Sequence, residues 1–144
     1  MDKLAMDKRT FEFDKANADV SLIGNIVYVR VSGVYSDEVA LKLIQYLEEL
    51  IDGISDSLIR VWDASGIPEG SFQLSTTCIE QIAIWARKIK AKRPGSLAYM
   101  VGPSAISYGM ARMYGMKAGL EETGVIVLRS IDELPPAIRE HLPT

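Results

Sequence analysis

Apolar and polar positions alternate along residues 20–31 in a pattern that predicts two strands and the turn between them. Val20-Ser21-Leu22-Ile23 and Ile26-Val27-Tyr28-Val29-Arg30-Val31 are β-prone runs, and Gly24-Asn25 between them tolerates positive φ, so a tight hairpin is expected. In the second run Val27, Val29 and Val31 share one face and Tyr28 and Arg30 the other, because side chains alternate along a strand. Gly33 ends or bends it. Phe11-Glu12-Phe13 is a weaker alternation that predicts an edge strand, preceded by a mobile tail of mixed charge over residues 1–9.

Beyond the hairpin the apolar period lengthens. Val39, Leu43, Leu47 and Leu50 recur at helical spacing, and Ile44 and Ile51 widen the stripe. Ser36-Asp37-Glu38 supplies an N-cap and acidic first-turn residues, and Asp52-Gly53 a stop. Residues 58–63 predict a short central strand, and residues 64–71 a loop by composition. A second amphipathic helix carries Leu74, Cys78, Ile82, Trp85 and Ile89 on one side; Ser71 and Ser75 both qualify as its cap, and Pro94-Gly95 ends it. Leu97-Ala98-Tyr99-Met100-Val101 is another strand, closed by Gly102-Pro103. Ser104 caps a third helix over residues 104–118, and Val125-Ile126-Val127-Leu128 is the last strand. Ser130-Ile131-Asp132-Glu133 is a capping box opening a short terminal helix that Pro135-Pro136 must distort or restart.

A hairpin followed by helix–strand alternation predicts an α/β fold with a mixed, mostly parallel sheet, an N-terminal antiparallel hairpin and flanking helices. The 144 residues suit a single domain over 1–144, and 48% hydrophobic with 24% charged residues is an ordinary globular balance. A formal net charge of −3 is too mild to draw the chain to nucleic acid or an anionic membrane. The apolar runs fall short of the roughly 20 residues of a membrane span, and the charged start lacks the apolar core of a signal peptide. Cys78 is the single cysteine, which excludes an internal disulfide and suits a cytoplasmic location.

Open α/β sheets bind ligands at the carboxyl ends of their parallel strands, a rim that here gathers residues 33–37, 63–71 and 102–104. Its middle loop holds Asp63, Ser65, Glu69 and Ser71 and leads into Ser75, with Ser36 and Ser104 as rim neighbours. A hydroxyl at a helix N-terminus lies where backbone amides favour a phosphate; the same residue types also serve as caps and turn formers, which is the favoured account. His141, the single histidine, stands beyond the double proline, and Cys78 falls on an apolar stripe, so no nucleophile–base pair and no catalytic residue is expected. One histidine and one cysteine supply no usual metal site, and no phosphate-binding or dinucleotide motif is present, so no metal and no cofactor is expected. The basic run over residues 87–93 fits a solvated helix end better than a docking patch. Met110, Met113, Tyr114 and Met116 mark the third helix either as buried or as a contact surface for a second subunit or a partner.

Over roughly residues 20–141 the order of elements resembles the STAS domain, the SpoIIAA-like fold of bacterial anti-sigma-factor antagonists. The residues that carry the resemblance are Asn25-Ile26-Val27-Tyr28-Val29-Arg30-Val31-Ser32-Gly33, the strand ending at Asp63 with its serine-bearing loop, Ala111-Arg112-Met113-Tyr114 and Val125-Ile126-Val127-Leu128-Arg129-Ser130-Ile131-Asp132-Glu133. The resemblance implies that fold and a non-enzymatic regulatory or protein-interaction role, with a protein partner or a homodimer. In signalling members the loop before the second helix carries an Asp-Ser-Ser-Gly phrase whose serine a partner kinase phosphorylates. That phrase is absent here; Pro68-Glu69-Gly70-Ser71-Phe72 stands at the comparable place, with Ser71 as the nearest counterpart. The alternative is a small-ligand or lipid-binding domain whose apolar pocket is lined by Trp62, Phe72, Trp85, Tyr99 and the methionines. An enzyme using Asp63, Glu69 and a serine lacks the usual general base.

Overall fold

Gly24, at φ +62°, and Asn25 form the two-residue turn of the expected hairpin, joining β2 (Ala16–Ile23) to β3 (Ile26–Gly33) with Ile23 facing Ile26. The structure is a computed structural model that describes residues 6–54, 57–102, 109, 112, 113 and 124–143. After β3 come β4 (Tyr35–Ser36), α1 (Asp37–Asp52), β5 (Ile59–Gly66), β6 (Phe72–Gln73), α2 (Thr76–Lys92), β7 (Leu97–Val101) and β8 (Val125–Leu128). A 3-10 turn over Ile131–Glu133 and a short helix α3 (Pro136–Arg139) close the chain, preceded in sequence by β1 (Met6–Glu12) at the other end. The main sheet has six strands in the order β1-β2-β3-β5-β7-β8, and β4 and β6 form a separate small pair. β1, β2 and β3 run antiparallel, and the pairs β3/β5, β5/β7 and β7/β8 are parallel. The fold is therefore the mixed α/β architecture that the alternation of periods predicts.

Alternation of side chains divides the sheet into two buried faces. Ala18, Val20, Val27, Val29, Val31, Ala98 and Val125 look toward α1 and α2, where Val39, Leu43, Leu47 and Ile51 of one helix meet Cys78, Ile82, Trp85 and Ile89 of the other. The opposite face carries Tyr28, Val61, Tyr99 and Val101 and is covered by Leu134 and Ile138 of the C-terminal segment. Pro135-Pro136 does restart the terminal helix: the 3-10 turn ends at Glu133 and α3 begins with Pro136 at its first position, where a missing N–H costs nothing. On the helix side Arg60 is 1% exposed, with its guanidinium carbon 5.1 Å from the centre of the Trp85 ring. The ring face thus supplies negative potential to a charge held inside the core.

Two expectations need correction. Residues 6–9, expected in a mobile tail, are paired in β1, which runs from Met6 opposite Ile23 to Glu12 opposite Asn17. Lys8, Arg9 and Thr10 are exposed, so this first part of the strand presents no apolar alternation to read; it is held by its ladder and by Arg9 lying over the rings of Phe11 and Tyr46, 4.7 and 4.8 Å from their centres. Residues 64–66, expected in a loop, continue β5 to Gly66, because the register shifts between Arg30 and Ser32 and lets Gly66 pair with Ser32. A Cβ at Gly66 would collide with the Ser32 side chain and the Val31 carbonyl, so the close approach requires glycine.

The expected third helix falls mostly outside the described residues, and Ser104, Met110, Tyr114 and Met116 with it. Met113 is half-buried against the core beneath α1 and α2. No described helix is long and apolar enough to cross a membrane.

Leu47 is fully buried and Leu41, on the same helix, is 43% exposed. Leu47→Ala should cost about 2–5 kcal/mol in urea unfolding, through lost burial and a residual cavity. Leu41→Ala should stay within about 0.5 kcal/mol of the parent. Equal effects at the two positions would contradict the burial scheme.

Candidate functional site

The serines of the rim divide by what their hydroxyls already do. Ser36 caps α1, its Oγ accepting from the Val39 amide at 3.5 Å. Ser75, rather than Ser71, caps α2, its Oγ accepting from the Cys78 amide at 3.1 Å. The same Ser75 hydroxyl donates to Asp37 at 2.6 Å while its amide donates to the other carboxylate oxygen at 2.8 Å. The first turns of the two helices are thereby latched together. Ser71 closes a turn, its amide donating to the Pro68 carbonyl at 3.0 Å with Gly70 at φ +83°. Its carbonyl accepts from the Tyr35 amide at 2.8 Å, so the half-buried Ser71 is tied to β4, just before α1. Glu69 is exposed at the turn's tip.

Asp63 and Ser65 have a different setting. Asp63 is 6% exposed near the carboxyl end of β5, on the face away from α1 and α2. Its Oδ2 accepts from the Tyr28 hydroxyl at 2.5 Å and its Oδ1 from the Ser65 amide at 2.9 Å. Burial, then the bond to Asp63, push the Tyr28 phenol well above its ordinary range, so it stays protonated and remains the donor. Tyr28 and Arg30 point to this face from β3, and the sheet register sets Arg30 opposite Asp63. These residues border a cleft of about 420 Å³. Its other wall comes from the C-terminal segment, with Ser130 and Arg139, and Val101, Ile131 and Leu142 add apolar lining. Arg139 is steadied by donating to the Asp132 carbonyl at 2.7 Å. The cleft thus joins two guanidiniums and three hydroxyls, those of Tyr28, Ser65 and Ser130, to a carboxylate whose oxygens are engaged.

Of the rim residues named from the sequence, this cleft takes Asp63 and Ser65; Ser36, Glu69, Ser71 and Ser75 do not line it. Tyr28, Arg30, Ser130 and Arg139 were not singled out as site residues. Alternation does put Tyr28 and Arg30 together on one face, and that is the signal that leads to them. The capping box at Ser130 marks only a helix start, and Ser130 and Arg139 reach the cleft only when the segment after β8 folds back across the sheet.

The apolar pocket expected around Trp62 and Phe72 forms between them, Tyr35, Leu74, Ile82 and Met100, but its volume is about 30 Å³, room for a single water. Trp85 lines a different cavity between the C-terminal ends of α1 and α2, and Tyr99 is buried on the opposite face. Within the basic run, Arg93 donates to the carbonyls of Ile51 and Ile54 at 3.1 and 2.7 Å, and Lys90 to that of Ser96 at 2.9 Å. Those two cations thus bind carbonyls just beyond the C-terminal ends of α1 and α2 or in their last turn, where positive charge is favourable. His141 lies 3.5 Å from Glu140 and does not line the cleft. Among the described residues no group of three carboxylate, histidine or thiol side chains converges as metal ligands.

Asp37 is held below its ordinary value of 3.8 by the hydrogen bonds it accepts from Ser75. A carboxyl depressed in the native state favours folding above its unfolded value, and that contribution disappears as pH falls through the native value. Ser75→Ala, which removes the cap of α2, should cost about 1 kcal/mol at neutral pH. The gap to the parent should narrow in acid, below 3.8. Denaturant titrations across that range check it, and a gap independent of pH would exclude the latch. Burial, and secondarily the nearby Asp37 carboxylate, push the Cys78 thiol up to about 11. The native protein should consequently resist a thiol-specific disulfide reagent at mildly alkaline pH and react once denaturant is added; rapid native labelling would contradict this burial.

No model of a known protein family matches this sequence, and no curated protein matches it.

Proposed function

We propose that this chain is a non-enzymatic regulatory module of the STAS type, in which the surface at the end of β5, around Ser65, meets a protein partner and is controlled by phosphorylation. The observation that carries this assignment is the setting of Ser65. Its residue is exposed, its amide is fixed by Asp63 at 2.9 Å, and it borders a cleft that also holds Arg30 and Arg139. The Asp-Ser-Ser-Gly phrase of signalling STAS members has a nearer counterpart in Asp63-Ala64-Ser65-Gly66 than in the Ser71 turn, with alanine in place of the first serine. A phosphate on Ser65 would bring charge and strong acceptors to a surface with two guanidiniums, where charge-assisted bonds are worth about 1.5–3 kcal/mol each. Ser71 is less suited, being half-buried in a turn whose backbone is tied to β4. A single buried thiol accords with a reducing, cytoplasmic setting.

Incubation with labelled ATP and a native extract from the source organism tests the assignment, with Ser65→Ala and Ser71→Ala run in parallel. Label should appear on the parent and on Ser71→Ala and vanish from Ser65→Ala. Label that depends on Ser71, or no label at all, defeats it. Ser65→Asp should also change retention of the partner at least tenfold relative to Ser65→Ala.

A further inference from the structure

The geometry points to the cleft between β3, β5 and the C-terminal segment as a binding site for a small amphipathic anion, a carboxylate or phosphate head on a short apolar body. This goes beyond the control of a protein contact, because the ligand is a free small molecule and the unmodified chain would take it.

The size is suitable: about 420 Å³ lies within the ~300–1,000 Å³ usual for small-molecule sites. The sign of charge follows from which groups are already committed. Asp63 is the cleft's carboxylate, and both its oxygens accept bonds, from the Tyr28 hydroxyl and from the Ser65 amide. Its remaining lone pairs offer a cation little, because Asp63 is only 6% exposed. The two guanidiniums are placed the other way. Arg30 is exposed on the same strand face as Tyr28, and Arg139 gives one N–H to the Asp132 carbonyl from a group that carries five. The Ser130 hydroxyl accepts from the Asp132 amide at 3.2 Å, which leaves its own proton as a donor. Counting the ionised groups of the lining, two arginines against one aspartate, the cleft carries a net positive charge of one.

Its apolar part favours a ligand with a body. Val101 is 2% exposed at the floor, and Ile131 and Leu142 are half-buried along the wall. The basic cavity between the C-terminal ends of α1 and α2, on the other side of the sheet, offers no comparable case, since Glu48 and Asp52 share its lining with Lys88, Lys92 and Arg93. A head group paired with guanidiniums beside aliphatic side chains is therefore the chemistry this cleft fits.

The test uses the full chain and four probes: inorganic phosphate, hexanoate, hexyl phosphate, and hexylamine as the oppositely charged control with the same tail. Calorimetry should show saturable binding of hexanoate or hexyl phosphate, tighter than phosphate alone. Whichever head binds tighter identifies the source of the anion. Amide resonances of Ser65 and Ser130 should shift on titration. Arg30→Gln and Arg139→Gln should each weaken the anion about tenfold or more, equivalent to about 1.4 kcal/mol. Lys88→Gln, in the cavity between the two helices, should leave it unchanged. Because Arg139 also steadies the C-terminal segment, Arg30→Gln with an unaltered melting temperature is the deciding variant. Equal binding of hexylamine, no saturation by any anionic probe, or undiminished affinity in Arg30→Gln would overturn the proposal.

Discussion

Parallel pairing of β3 with β5 decides where the chemistry of this molecule can lie. With strands on both sides and cover on both faces, β5 has no solvent-facing side over most of its length, so each of its polar residues must be satisfied within the fold. Arg60 turns to the helix layer and lies under Trp85. Asp63 turns the other way and draws one donor from the neighbouring strand, the Tyr28 hydroxyl, and one from its own chain, the Ser65 amide. The same register that sets Arg30 beside Asp63 makes the local charge balance positive once Arg139 is added. The polarity of the cleft is thus a consequence of how the central strands align.

The helix layer was legible in the sequence to a degree the strap across the other face was not. Val39, Leu43 and Leu47, or Cys78, Ile82 and Trp85, repeat with a period that only one conformation buries, and both helices lie where that period puts them. The hairpin was equally plain, because Gly24-Asn25 interrupts two β-prone runs. Of β1 only the end near Phe11 and Glu12 was legible; over residues 7–10 its side chains face water, and such a stretch has no pattern beyond its backbone pairing. Asp63-Ala64-Ser65-Gly66 has the composition of a turn, and only the irregular register opposite Arg30 and Ser32 keeps it extended.

The candidate site was half legible for the same reason. Asp63 and Ser65 sit at the carboxyl end of a predicted strand, where open α/β sheets place their ligands. Ser130 and Arg139 come from more than sixty residues further along and meet them only through Leu134 and Ile138 packing on the second face. Serines chosen for their position at helix starts turned out, in Ser36 and Ser75, to be engaged with amides and a carboxylate of the fold itself.

The helix pair is fastened at both extremities, by Asp37 and Ser75 at the leading ends and by Arg93 across the Ile51 and Ile54 carbonyls at the trailing ones. Sliding one helix along the other would break charge-assisted bonds at each end at once, so shear within that layer is blocked. Any accommodation to an occupant falls instead to the proline-divided stretch beyond β8, where Leu134 and Ile138 pack on the sheet through aliphatic contact. Compliance and rigidity are thus sorted onto opposite sides of a single sheet.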